Sequence, residues 1–149
     1  MANIIPFAFR GELLSGTHNF ANGGNSFKIA LYTSFAAYST SSTAYLTTNE
    51  VSANNTGYTT GGKVLAGQAV VSTGAVATVD FTDSTLTSAT FTANSAAIYN
   101  DTNGDKLCVI LDFGGNKTAT NGTFTISFPN PSTPANAIIS MAEGQNKWL

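Results

Sequence analysis

From Ser26 onward the chain alternates apolar and polar residues with a period of two, in short runs cut by Gly and Asn. Phe27, Ile29 and Leu31 share one face of such a run, with Lys28, Ala30 and Tyr32 opposite. That period builds strands and is incompatible with a helical stripe. Further runs occupy Lys63–Ser72, Ala75–Phe81, Thr87–Ala93, Ala96–Tyr99, Lys106–Phe113, Thr123–Phe128 and Ala137–Met141. Asn103-Gly104 between Tyr99 and Leu107 is a strong short-range hairpin signal, and Asn121-Gly122 reads as another turn. In 106–113 the residues Leu107, Val109, Leu111 and Phe113 alternate with Cys108 and Ile110, so both faces are apolar and a central strand is expected. About eight short strands at this spacing predict an all-β fold, an antiparallel β-sandwich or jelly-roll-like single domain.

The first residues obey a different period. Phe9, Leu13 and Leu14 fall near one helical face, Glu12 favours a helix, and Gly16 is placed to stop it. A short N-terminal helix is therefore expected near 7–16. The organisation predicted is an arm and helix over 1–25, a β-sandwich over 26–141 and a tail over 142–149. Residues 35–60 are a long Ser- and Thr-rich stretch with Tyr38, Tyr45, Val51 and Tyr58 as isolated anchors. A loop of that length is expected to be functional or partly structured.

Only 9% of the 149 residues are charged, while Thr, Ser and Asn make up about a third of the chain. Soluble domains average ~25% charged residues. Without a basic patch a nucleic-acid partner is not expected, and no apolar run reaches the length of a membrane-spanning helix. One Cys and one His leave little for disulfides or zinc. Met1 to Phe9 has no basic segment before its apolar stretch, which Pro6 interrupts, so export by a signal peptide is not expected.

Four patterns in the chain could carry chemistry. His18 lies beside the helix end with no Gly-x-Ser-x-Gly elbow to supply a nucleophile, so a structural role is expected. Cys108 has apolar immediate neighbours and no electropositive residue adjacent to it in the chain, which predicts a buried, inert thiol. Asp80 with Asp83 and Asp101 with Asp105 could pair as a glycosidase needs, but nothing in the sequence sets them across a cleft. Asp101-Thr-Asn-Gly-Asp105 with Asp112 resembles a calcium loop in spacing, yet Lys106 stands where the loop needs glycine, and a hairpin accounts for the same residues. No enzyme activity and no cofactor or metal are expected.

Several segments in order resemble a family of small virion structural proteins of tailed bacteriophages. They are Phe9-Arg-Gly-Glu-Leu-Leu-Ser-Gly-Thr-His-Asn-Phe20, Phe27-Lys-Ile-Ala-Leu-Tyr-Thr33, Thr48-Asn-Glu-Val51, Gly57-Tyr-Thr-Thr-Gly-Gly-Lys-Val-Leu65, Ala97-Ile-Tyr-Asn100, Leu111-Asp-Phe-Gly114 and Ala137-Ile-Ile-Ser140. The resemblance implies a particle component made in the bacterial cytoplasm and carried on the virion. Its partners would be the major capsid protein or other virion proteins, with dimers or trimers of itself. A capsid decoration (cement) protein is the leading expectation, and a tail or fibre component, including a receptor-binding one, is the alternative. Contact residues expected on this view are Phe7, Phe9, Leu13 and Leu14 at one end, Tyr38 and Tyr45 on the long loop, and Trp148 and Leu149 in the tail.

Overall fold

The computed structural model describes residues 3–142. Helix α1 spans Phe7–Leu14 and is followed by strands β1 (Phe27–Tyr32), β2 (Lys63–Val64), β3 (Ala69–Thr73), β4 (Val76–Asp80), β5 (Ser84–Asn100), β6 (Lys106–Ile126) and β7 (Ile139–Met141). The strands form two antiparallel sheets, in the orders β2-β1-β5-β6 and β3-β4-β7. The chain is thus mostly β with one short helix, as the periodicity predicts.

α1 ends where Gly16 requires. Gly16 adopts φ +77, its N–H donates to the Leu13 carbonyl, and Thr17 N–H donates to the Glu12 carbonyl. Those two bonds make a Schellman cap, which satisfies the last carbonyls of the helix. The cap sets the end two residues before the predicted limit.

Among the described residues the strands number seven rather than about eight, because Gly and Asn act in two ways. Asn103-Gly104 does turn the chain, with Gly104 and Asp105 both at positive φ between Asn100 and Lys106. Asn121-Gly122 does not. It lies inside β6, where Thr120 and Asn121 oppose the single residue Thr90 in a β-bulge. Gly114 and Gly115 belong to a wider irregularity, in which 113–116 face Asn94 alone. Bulges let two long strands bend without ending, so four of the expected short strands merge into β5 and β6. Conversely the 63–72 run is divided into β2 and β3, with Gly67 at φ +64 between them.

The core lies in two clusters on opposite faces of the four-stranded sheet. One joins Phe27, Ile29 and Leu31 of β1 to Phe9 of α1, Val79 of β4 and Ile139 of β7. Aromatic rings dominate it; Phe20 stacks on Phe27 at 4.4 Å and Phe81 meets both edge-on. Such pairs add about 0.5–1.5 kcal/mol each beyond the area they bury. The other cluster holds Ala30, Tyr32, Tyr99, Leu107 and Ile110 under Phe35 and Tyr38.

Two expectations for 106–113 are corrected here. A bulge places Leu107 and Cys108 opposite Tyr99 and slips the alternation, so Leu107 and Ile110 face one cluster while Cys108, Val109 and Leu111 face the other. β6 is also an outer strand, not a central one. Its two apolar faces are explained by layers above and below. Its edge is closed by isolated bridges from Ile4 to Ile110 and from Ala44 to Lys106.

Candidate interaction surfaces and buried polar clusters

α1 is fixed to the sheet through one carboxylate. Glu12 accepts from Lys106 Nζ at 3.0 Å on Oε1 and from His18 Nε2 at 2.9 Å on Oε2. Burial pushes its pKa up, but the hydrogen bonds from His18 and Lys106 and the Lys106 charge outweigh this and hold it below the usual carboxylate value. His18 is buried, and its Nδ1 lies 3.1 Å from Asn100 Nδ2. The Asn100 amide is oriented by its oxygen, which accepts from Thr102 and Asn103 N–H. Its nitrogen therefore donates, His18 Nδ1 accepts, and the imidazole proton sits on Nε2, directed at Glu12.

Cys108 Sγ is 3.7 Å from the same Nδ1. The fold thus brings a histidine to the thiol from ninety residues away, a neighbour invisible in the sequence. Cys, His and Glu are the side-chain types of a nucleophilic triad, but this set does not work as one. Cys108 is fully buried, the His18 side chain has no exposed area, and Nδ1 is occupied by Asn100. Burial, helped by the Glu12 charge, drives the thiol pKa well up, away from the reactive thiolate. The cluster is a clamp holding α1, the 17–20 segment and the hairpin base together.

A second carboxylate organises the long loop. Glu50 accepts from Tyr45 hydroxyl at 2.6 Å, Tyr58 hydroxyl at 2.6 Å and Gly61 N–H at 2.7 Å. Tyr38 and Tyr32 hydroxyls are 2.8 Å apart, Tyr32 donates to the Leu46 carbonyl, and Tyr99 donates to the Gly61 carbonyl. All five tyrosines of the chain are spent in this way. Tyr38 is corrected as an exposed contact, being 7% exposed, and Tyr45 is half-buried, stacked on Tyr99 at 4.7 Å. The loop is a tied-down cover for the sheet. Sequence reasoning identified its tyrosines as anchors but missed Glu50, whose role depends on three donors separated along the chain.

One acid of each expected pair is engaged within the fold. Asp101 bonds Lys28 at 2.8 Å, and Asp83 accepts from Phe128 N–H. Asp112 accepts from Gly114 N–H within β6. Among the described residues no three His, Cys, Asp or Glu side chains converge as a metal cage would.

The surface of the long hairpin is lined with hydroxyls. Thr92 and Thr118 hydroxyls meet at 2.7 Å, and Thr85 faces Thr125 across the same pair of strands. Leu86, Phe91, Phe124 and Ile126 point inward between them. A β-branched polar residue suits such a half-solvated strand.

The N-terminal helix divides the contact residues expected of it. Phe9 is corrected to the core at 2% exposure, and Leu13 packs against that core. Phe7 and Leu14 turn outward at 61% and 83% exposure, with the Arg10 guanidinium over the Phe7 ring. Beside them runs a groove of about 590 Å³, walled by Phe9, Leu13 and Leu14 on one side and Ile138, Ile139 and Met141 on the other. The β7 wall of this groove was not read from sequence, because it is formed by residues more than 120 positions from α1. Trp148 and Leu149 lie outside the described residues. Comparison with protein-family models, with curated proteins and with solved structures finds nothing that matches this chain.

Proposed function

We propose that the chain is a non-enzymatic structural protein of a tailed-bacteriophage particle. On this reading it is a decoration protein on the outer capsid, and its two sheets form a jelly-roll-like β-sandwich. The observation that carries it is the apolar site at α1. Phe7 and Leu14 face outward beside a groove, on a helix clamped by Glu12, and an apolar contact on a rigid base suits docking to another surface. Binding only the assembled shell would stabilise it by mass action. The hydroxyl-lined hairpin supports the same reading, since it keeps a surface wet without charge.

In the alternative, a tail or fibre component, the Tyr-bearing loop of 35–60 would face the host; its tyrosine hydroxyls are bonded within the chain, which favours the α1 site as the contact. Mass spectrometry of purified particles tests the proposal. Hundreds of copies per virion are expected of a capsid protein, and a few to dozens would place it in the tail instead. A Phe7→Ser, Leu14→Ser variant should be incorporated poorly; normal incorporation would sink the α1 docking model.

A further inference from the structure

Two sheets have four outer strands, and three of them are blunted. β6 is bridged by Ile4 and Ala44. β2 is two residues long and begins with Lys63, and β7 has three residues. Short, charged or covered edges are how proteins prevent strand pairing between molecules. β3 has none of these devices. It runs five residues, Ala69-Val-Val-Ser-Thr73, pairs only with β4 among the described residues, and holds no Pro, Lys or bulge. Val70 is 54% exposed. From Val64 to Val79 the sequence has no charged residue, so two copies meeting here face no electrostatic repulsion.

We propose that β3 is a pairing edge for β3 of a second copy, joining the two three-stranded sheets antiparallel into one of six strands. An antiparallel strand presents the same pattern of N–H and C=O groups to its own two-fold mate, so the contact is self-complementary. Among the described residues each copy has one such edge, so association closes at a dimer and does not run on into fibres. Five-residue strands bury little area against the ~1,200 Å² of a stable interface. The dimer is therefore concentration-dependent and forms where copies are held close. This inference does not rest on the particle reading and fails separately from it.

Sedimentation equilibrium of the full chain from micromolar to millimolar concentration tests it. The expected result is a shift from the 15.4 kDa monomer to twice that mass and no further. Val70→Lys should weaken dimerisation about ten-fold or more, because symmetry applies the added charge twice. Val64→Lys, equally exposed but on β2, and Leu14→Ser, on α1, should leave it unchanged. Amides of 69–73 should gain exchange protection as the dimer forms. A monomer throughout, a larger assembly, or a dimer broken by Leu14→Ser or Val64→Lys but not by Val70→Lys would each overturn the proposal. Circular dichroism of each variant separates lost pairing from lost folding.

Discussion

Raising the pH should unfold this protein through its tyrosines. Tyr32, Tyr38, Tyr58 and Tyr99 are 1–7% exposed. Burial raises each phenol above its ordinary value of 10.0, and the Glu50 charge pushes all four further. In the unfolded chain they ionise near 10. The native state therefore holds more protons at high pH. Stability is intact below pH 10 and falls as pH rises. A tyrosine kept protonated forfeits about 0.4 kcal/mol at pH 10 and about 1.4 kcal/mol at pH 11 relative to the unfolded chain. Four forfeit about 1.6 and about 6 kcal/mol, against the ~5–15 kcal/mol that a domain commonly has. Unfolding is expected between about pH 10 and 12. Phenolate absorbance and near-ultraviolet circular dichroism, followed together during an alkaline titration, should change in one step. Gradual ionisation near pH 10 with the tertiary signal retained would refute the argument. Tyr38→Phe should reduce the limiting pH slope by one proton, about 1.4 kcal/mol per pH unit.

Other perturbations follow from single contacts. Glu50→Ala strands three donors and should cost about 2–4 kcal/mol, whereas Glu50→Gln keeps two acceptor bonds and should cost about 1 kcal/mol, both read from urea midpoints. Gly62→Ala should cost about 2–3 kcal/mol or more in the same assay, since Gly62 has φ +80 and a Cβ would lie 2.0 Å from the Ile29 carbonyl oxygen. Cys108 should resist thiol reagents in the native protein and react at the rate of unfolding; rapid native labelling would contradict its burial. Glu12, lowered from an ordinary 4.5, contributes stability that is present above that value and lost as pH falls through the folded one. Glu12→Gln should flatten the acid limb of the stability profile.

The fold was legible where one residue type had one use. Phe27, Ile29 and Leu31 do share a face, Gly16 does end α1, and Asn103-Gly104 does turn. The reading failed where the same residues serve two geometries. A positive φ at Asn121 or Gly114 suits a turn and a bulge equally, and only the partner strand distinguishes them. Cys108 shows the cost of one such bulge, since every later side chain in that segment changes face. The polar clusters were illegible for another reason. Glu12 with Lys106, His18 with Cys108, and Asn100 with Thr17 are separated by more than eighty residues, so no local pattern announces them. Phe9 and Phe7 differ by two positions on α1, and the first is buried while the second is exposed.

The scarcity of charge and the abundance of hydroxyls act differently on the two sides of the molecule. Tyrosine hydroxyls close on Glu50 and on backbone carbonyls, and so fix the loop. The hydroxyls of Thr85 with Thr125 and of Thr92 with Thr118 meet in cross-strand pairs on the exposed side of β5 and β6. Neither set supplies the fixed charges that normally guard a sheet edge. Protection must then come from backbone geometry, and three edges have it as bridges or brevity. β3 runs five residues with no bulge and no charge, so its exposure cannot be attributed to a general lack of edge protection in this fold. The contrast among edges of one molecule is what singles out β3 as a contact, and a single lysine at position 70 is enough to test it.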